Sequence, residues 1–249
     1  MKKRYGKKIF ILAFWLAAWQ AASLFLDNPL VFVSPLQVAE ALVKLPGDPD
    51  FWRTLGTSLG KIGGGFLLAL AAGLLLGGAA YRFPFLGDLV SPVLSLMKTV
   101  PVASFVILAL VWIKGENLST FIAFLMVLPV IWQSVHTGLG SADPDLLEMA
   151  RVYRFSRGKK LRYLYLPAAR PYLISAMRVG LGFSWKSGIA GEVIAIPSQA
   201  IGTQLYNAKI YLDMPGLFAW TIVIILLSAL IERLVLRLLP DPEGGVSHA

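Results

Sequence analysis

Long apolar runs separated by short polar ones dominate this chain. They fall at about 9 to 26, 58 to 80, 89 to 113, 118 to 138, 172 to 195 and 214 to 236. Each approaches the roughly 20 residues that a helix needs to cross a bilayer's hydrocarbon. The pattern predicts an all-α membrane protein of about six transmembrane helices in one domain over residues 1–249. Residues 1–56 hold the first span and an external segment, 57–238 the core, and 139–171 the longest connection between spans. The basic start, Met1 to Lys8, resembles a signal peptide, but the following run is too long and too rich in Trp and Phe for one, and no small-x-small cleavage site follows. A retained first span is expected.

Two spans are patterned as interior helices. The second carries Gly60, Gly64, Ala69, Gly73 and Gly77, a small-residue face that lets another helix approach closely. The third is interrupted at Lys98-Thr99-Val100-Pro101, and broken backbone at membrane depth survives only when buried in protein or lining a wet cavity. Between the first two spans, Ser34-Pro35 followed by Leu36, Ala39, Leu42 and Val43 predicts a short amphipathic helix at the outer interface. Within 139–171, Asp143-Pro144 starts a helix whose Leu146, Met149, Ala150 and Tyr153 form one apolar stripe. Ser156 caps a second helix, carrying Arg157, Lys159, Lys160 and Arg162, that is expected to end at Leu166-Pro167. Docking to a partner and rest on anionic headgroups are equally open readings of this loop.

Composition narrows the function. The chain is 57% hydrophobic and 15% charged, so water is not its main solvent. Its net charge of +9 sits between apolar runs rather than on a solvated face, which argues against nucleic acid. With both termini on one side, that side holds fifteen basic residues: Lys2, Lys3, Arg4, Lys7, Lys8, Arg82, Arg151, Arg154, Arg157, Lys159, Lys160, Arg162, Arg170, Arg233 and Arg237. The other side holds four, Lys44, Arg53, Lys114 and Lys209. The termini and the 139–171 loop are therefore expected in the cytoplasm. No cysteine is present and only His136 and His248 are histidines, so disulfides, thiolate chemistry and a histidine metal centre are excluded. A membrane-embedded enzyme lacks its parts.

The segment Glu148-Met149-Ala150 through Leu164-Tyr165-Leu166-Pro167 resembles the "EAA" coupling motif of permease subunits in binding-protein-dependent ABC importers. That motif reads Glu-Ala-Ala, three residues, Gly, nine residues, Ile-x-Leu-Pro. Met149 replaces the first alanine and Arg154 the glycine, which is expected to shift the bend toward Ser156 to Gly158. Ser34-Pro35-Leu36-Gln37-Val38, Thr57 through Phe66, Thr99-Val100-Pro101, Arg178 through Trp185 and Gly191-Glu192 are similar to landmarks of the nitrate, sulfonate, taurine and bicarbonate branch. Where that branch shows Trp-Phe-Gly-Ile-Gly, this chain reads Trp112-Ile113-Lys114-Gly115-Glu116.

The resemblance implies the type I importer permease fold in a prokaryotic plasma (inner) membrane. It implies two ATP-binding cassette subunits, a second permease copy and an extracytoplasmic substrate-binding protein as partners. No cofactor is expected on this chain: it has no Gly-x-x-x-x-Gly-Lys-Ser/Thr loop, so ATP and Mg belong to the partner ATPase. Leu146, Glu148, Met149, Ala150, Tyr153, Arg154, Leu164, Leu166 and Pro167 are the implied coupling residues, with Ala150 at the tightest contact. Ionisable residues inside spans default to functional candidates. Ser95, Lys98, Thr99, Ser184, Lys186, Ser187 and Glu192 are accordingly the candidate pathway residues. For Lys98 and Lys186 a pathway role and a structural one are equally open. Lys61 and Arg178 are expected to snorkel, Trp185 to pack, and Glu192 to pair with a basic residue in the bundle. Midplane positive charge favours a small anion of sulfonate or nitrate type. A thiamine-precursor pyrimidine or riboflavin-type solute is the alternative, and an ATP-independent transporter or channel a more distant one.

Overall fold

The protein's computed structural model describes residues 2–26 and 32–238, and no strand occurs among them. The helices are α1 (Lys2–Leu26), α2 (Pro35–Lys44), α3 (Pro49–Arg82), α4 (Pro84–Thr99), α5 (Val102–Ala109), α6 (Gly115–Gly140), α7 (Pro144–Val152), α8 (Arg157–Lys160), α9 (Leu166–Ala195), α10 (Ile201–Ile210) and α11 (Met214–Leu238). Among the described residues, α1, α3, α6 and α11 contain segments apolar and long enough to cross a membrane. At 30 residues, α9 would rise about 45 Å, but Arg170, Arg178, Lys186 and Glu192 interrupt its apolar character.

The third expected span is not a straight crossing. α4 and α5 meet at 106° across Val100-Pro101. Val100 is extended, as the residue before a proline prefers, and Pro101 has no N–H with which to continue α4.

α6 lies between α3 and α9, and small residues permit both contacts. A Cβ added at Gly73 would stand 2.7 Å from the Ile131 side chain, and one at Gly77 2.8 Å from Val135. The buried face of α3 runs through Gly65, Ala69, Gly73 and Gly77, whereas Gly60 and Gly64 have open space beside them. The small-residue stripe is therefore anchored at Gly65: four-residue steps back from Ala69 reach that residue, and Gly64 is turned about 100° away. On the other side of α6, Gly138 abuts Ala169 of α9, and Gly180 of α9 abuts Val127.

The local helix starts follow the sequence. Ser34 and Gln37 form a reciprocal capping box on α2, and the Asp143 side chain accepts from the Asp145 N–H at 2.8 Å. Ser156 caps α8 by accepting from the Lys159 N–H. The expected stop at Leu166-Pro167 does not occur. A π-helical segment, Leu161–Tyr165, carries α8 directly into α9, and Pro167 falls in the first turn of α9.

The bend after α7 also stays where the motif has glycine. Arg154 itself adopts φ 51°, and its N–H donates to the Arg151 carbonyl at 3.1 Å while the Phe155 N–H donates to Ala150 at 2.9 Å. This is a Schellman closure with arginine in the left-handed position. Its two hydrogen bonds hold the bend at Arg154 rather than at Ser156 to Gly158.

Candidate translocation cavity and coupling surface

The break between α4 and α5 opens a cavity of about 680 Å³ against α6 and α9. Four of the expected pathway residues line it: Lys98, Thr99, Lys186 and Ser187, beside Pro101 and Phe183. Lys98 occupies the last turn of α4, where a cation is favoured by the helix dipole. Thr99 donates its hydroxyl to the Leu96 carbonyl at 3.1 Å, closing that helix end. Lys186 shares a face of α9 with Phe183, one turn away. The Ser187 hydroxyl donates to the Phe183 carbonyl at 2.6 Å, which leaves oxygen lone pairs rather than a free O–H at that point of the wall. Among the described residues neither lysine is in an ion pair, so the cavity carries two uncompensated ammonium groups and no carboxylate. Such a cavity suits an anion.

Three expected pathway residues lie elsewhere. Ser95 is exposed outside this cavity. Ser184 is buried and donates to the Leu181 carbonyl at 2.8 Å. Glu192 is 0% exposed, and among the described residues no cation lies within ion-pair distance of it. Its Oε2 accepts from the Ser58 hydroxyl at 2.9 Å and from the Gly202 N–H at 3.1 Å, while Ser58 in turn accepts from the Ile201 N–H at 3.0 Å. The carboxylate thus closes the positive end of α10 instead of pairing with a cation. Gly202 is required there, because an added Cβ would collide with the Glu192 side chain.

Lys61 is held in an ion pair. Its Nζ meets Glu116 Oε2 at 2.7 Å, and Glu116 Oε1 accepts from the Ser198 N–H at 2.7 Å. This ties α3, α6 and the turn after α9 together. Glu116 and Ser58 were not legible as site residues, since their partners lie far away in sequence. Trp185 packs as expected, 5% exposed with its ring N–H donated to the Ile224 carbonyl at 3.3 Å.

On the coupling loop, the exposed apolar face of α7 consists of Leu146, Met149, Val152 and Tyr153, the last 72% exposed. Glu148 and Arg154 are exposed beside it, and Leu166 and Pro167 are exposed at the start of α9 while Leu164 is half-buried. Ala150 is the exception. It is 0% exposed within this chain, so it seats α7 on its own protein and cannot be the tightest point of an outside contact.

The family model described as binding-protein-dependent transport system inner membrane component matches residues 69–242. The chain is similar to the taurine transport system permease protein TauC of Escherichia coli, 28% identical over 91% of this chain and 83% of that protein. It is also similar to the putative aliphatic sulfonates transport permease protein SsuC of Bacillus subtilis, 26% identical over 94% of this chain and 86% of that one. The nitrate import permease protein NrtB of Synechococcus elongatus is 26% identical over 75% of this chain and 70% of its own length. A chain of the MetNI methionine ABC transporter in inward-facing conformations superposes with a TM-score of 0.56 at 17% identity, over 76% of this chain and 94% of that one.

Proposed function

The chain belongs to the family of inner-membrane components of binding-protein-dependent transport systems, and we propose that it forms half of the translocation pathway of an ATP-driven importer for small anions. The observation that carries the anion reading is the convergence of Lys98 and Lys186, from α4 and α9, on one cavity without a carboxylate. Relatives named for taurine, aliphatic sulfonates, nitrate and bicarbonate support it. An anion entering the cavity replaces lost hydration with charge-assisted hydrogen bonds from the two ammonium groups, while Phe183 and Met126 supply an apolar wall.

Energy enters from a separate ATPase, for which the exposed stripe of Leu146, Met149 and Tyr153 is the seat and Glu148 and Arg154 set orientation at the rim. Two ATPase subunits, a second copy of the permease and an extracytoplasmic binding protein complete the assembly. Closure of the ATPases shifts α7, and the continuous run from α8 through α9 conveys that shift to Lys186.

Uptake of a labelled sulfonate by membranes carrying the assembled importer tests the reading. Lys98→Met with Lys186→Met should lower uptake at limiting substrate by about a hundredfold or more, because each charge-assisted contact contributes on the order of 1.5–3 kcal/mol. ATPase retention should be unchanged. Wild-type uptake by the double variant would refute the anion pathway.

A further inference from the structure

A second groove, of about 550 Å³, lies at the coupling-loop end of the bundle between α3, α6 and the start of α9. Its trough is apolar, formed by Leu74 and Gly78 of α3, Val135 and Leu139 of α6, and Leu166 and Leu173 of α9. The charged side chains in its lining are Arg162 and Arg170. Both are exposed, and among the described residues neither is in an ion pair.

Beside the trough, half-buried rings mark its depth. Tyr81 meets Tyr165 edge-on at 5.7 Å and His136 at 6.3 Å, near the ends of α3 and α6. Amphipathic rings gather where hydrocarbon gives way to headgroups. Leu74, seven residues before Tyr81 on α3, then lies about 10 Å deeper, at acyl-chain level. Gly78 leaves the trough open, since an added Cβ would meet nothing within 4 Å.

An apolar trough of acyl depth with two uncompensated guanidinium groups at its mouth matches one kind of molecule. We propose that this groove binds an anionic phospholipid, with Arg162 and Arg170 holding the headgroup phosphate and one acyl chain lying across Gly78. Guanidinium groups match phosphate oxygens in a bidentate geometry, and a net negative headgroup is favoured over a zwitterionic one by the uncompensated charge. Leu161, Leu166 and Pro167 form part of the wall, so the lipid braces the joint between the coupling segment and α9.

The full chain, purified in detergent and delipidated, is titrated with phosphatidylglycerol or with phosphatidylcholine of the same acyl chains. Binding is read by native mass spectrometry and stability by thermal unfolding. Phosphatidylglycerol should add one tight lipid per chain and raise the unfolding midpoint, whereas phosphatidylcholine and inorganic phosphate should do neither. Arg162→Gln with Arg170→Gln should weaken phosphatidylglycerol binding by about tenfold without altering the lipid-free midpoint, since both side chains are exposed. Gly78→Leu fills the trough, keeps the arginines, and should weaken the same lipid. Equal binding of the two lipids, an equal shift with inorganic phosphate, or wild-type binding by both variants would overturn the assignment. So would a Gly78→Leu chain that keeps its lipid but loses its second copy, which would give the groove to a helix of that copy.

Discussion

Arg154 shows how a single position can satisfy a fold at a cost. Its left-handed φ of 51° costs an L side chain roughly 1 kcal/mol that glycine avoids, and the two hydrogen bonds of the Schellman closure hold it there. Arg154→Gly should therefore tighten the bend, raising protection of the Phe155 amide against hydrogen exchange by about fivefold. If ATPase retention falls in the same variant, the guanidinium makes a contact that the backbone strain serves. Glu192 is the opposite case, a carboxylate placed by burial. Removing it strands the Ser58 hydroxyl and the Gly202 N–H, so Glu192→Ala should cost about 3 kcal/mol and lower the thermal unfolding midpoint of the detergent-purified chain. Glu192→Gln should recover much of that loss, and sulfonate uptake by the folded Gln variant should match wild type. A Gln variant of normal stability but no uptake would return Glu192 to the pathway.

Among the helices, α7 separates an outward face from an inward one, and the two faces predict different failures. Tyr153→Asp puts a charge into the proposed ATPase seat while leaving the loop's own packing alone, so the permease should insert normally but lose the ATPase on purification. Ala150→Arg instead forces a long charged side chain into a fully buried site, and should expose the loop to proteolysis even in the isolated permease. Ala150→Arg and Tyr153→Asp giving the same proteolytic pattern would erase the distinction. Elements whose signals are local were legible in the sequence: Ser34-Pro35, Asp143-Pro144 and Ser156 each start the helix they predict. Those set by tertiary packing were not. Nothing at Leu166-Pro167 announces that a π-helical segment will carry the chain through, and the phase of the glycine stripe depends on which residues of α6 lie opposite. The broken span was visible as Lys98 to Pro101, and its Lys98 does share one cavity with Lys186 of α9, but the 106° bend between α4 and α5 has no one-dimensional signature.

The assembled molecule has an end that carries the basic loop and an end that carries the Glu116 and Glu192 ties. From the fifteen-to-four division of basic residues we propose that the first of these faces the cytoplasm. A cysteine-free chain makes the assignment easy to check: Ser141→Cys, exposed at the end of α6, should react with an impermeant thiol reagent only from the cytoplasmic side. Labelling from outside intact cells would invert the topology. Because α8, the π-helical segment and α9 continue without interruption from Arg157 to Ala195, the molecule contains a lever. Its foot stands beside the coupling loop, and its upper arm alone spans about 45 Å. A tilt of about 10° at the base of α9 would sweep Lys186, two-thirds of the way up that helix, through about 5 Å and the tip at Ala195 through about 8 Å. A displacement of one side-chain length at the cavity thus follows from a rotation of only about 10° at the base of α9.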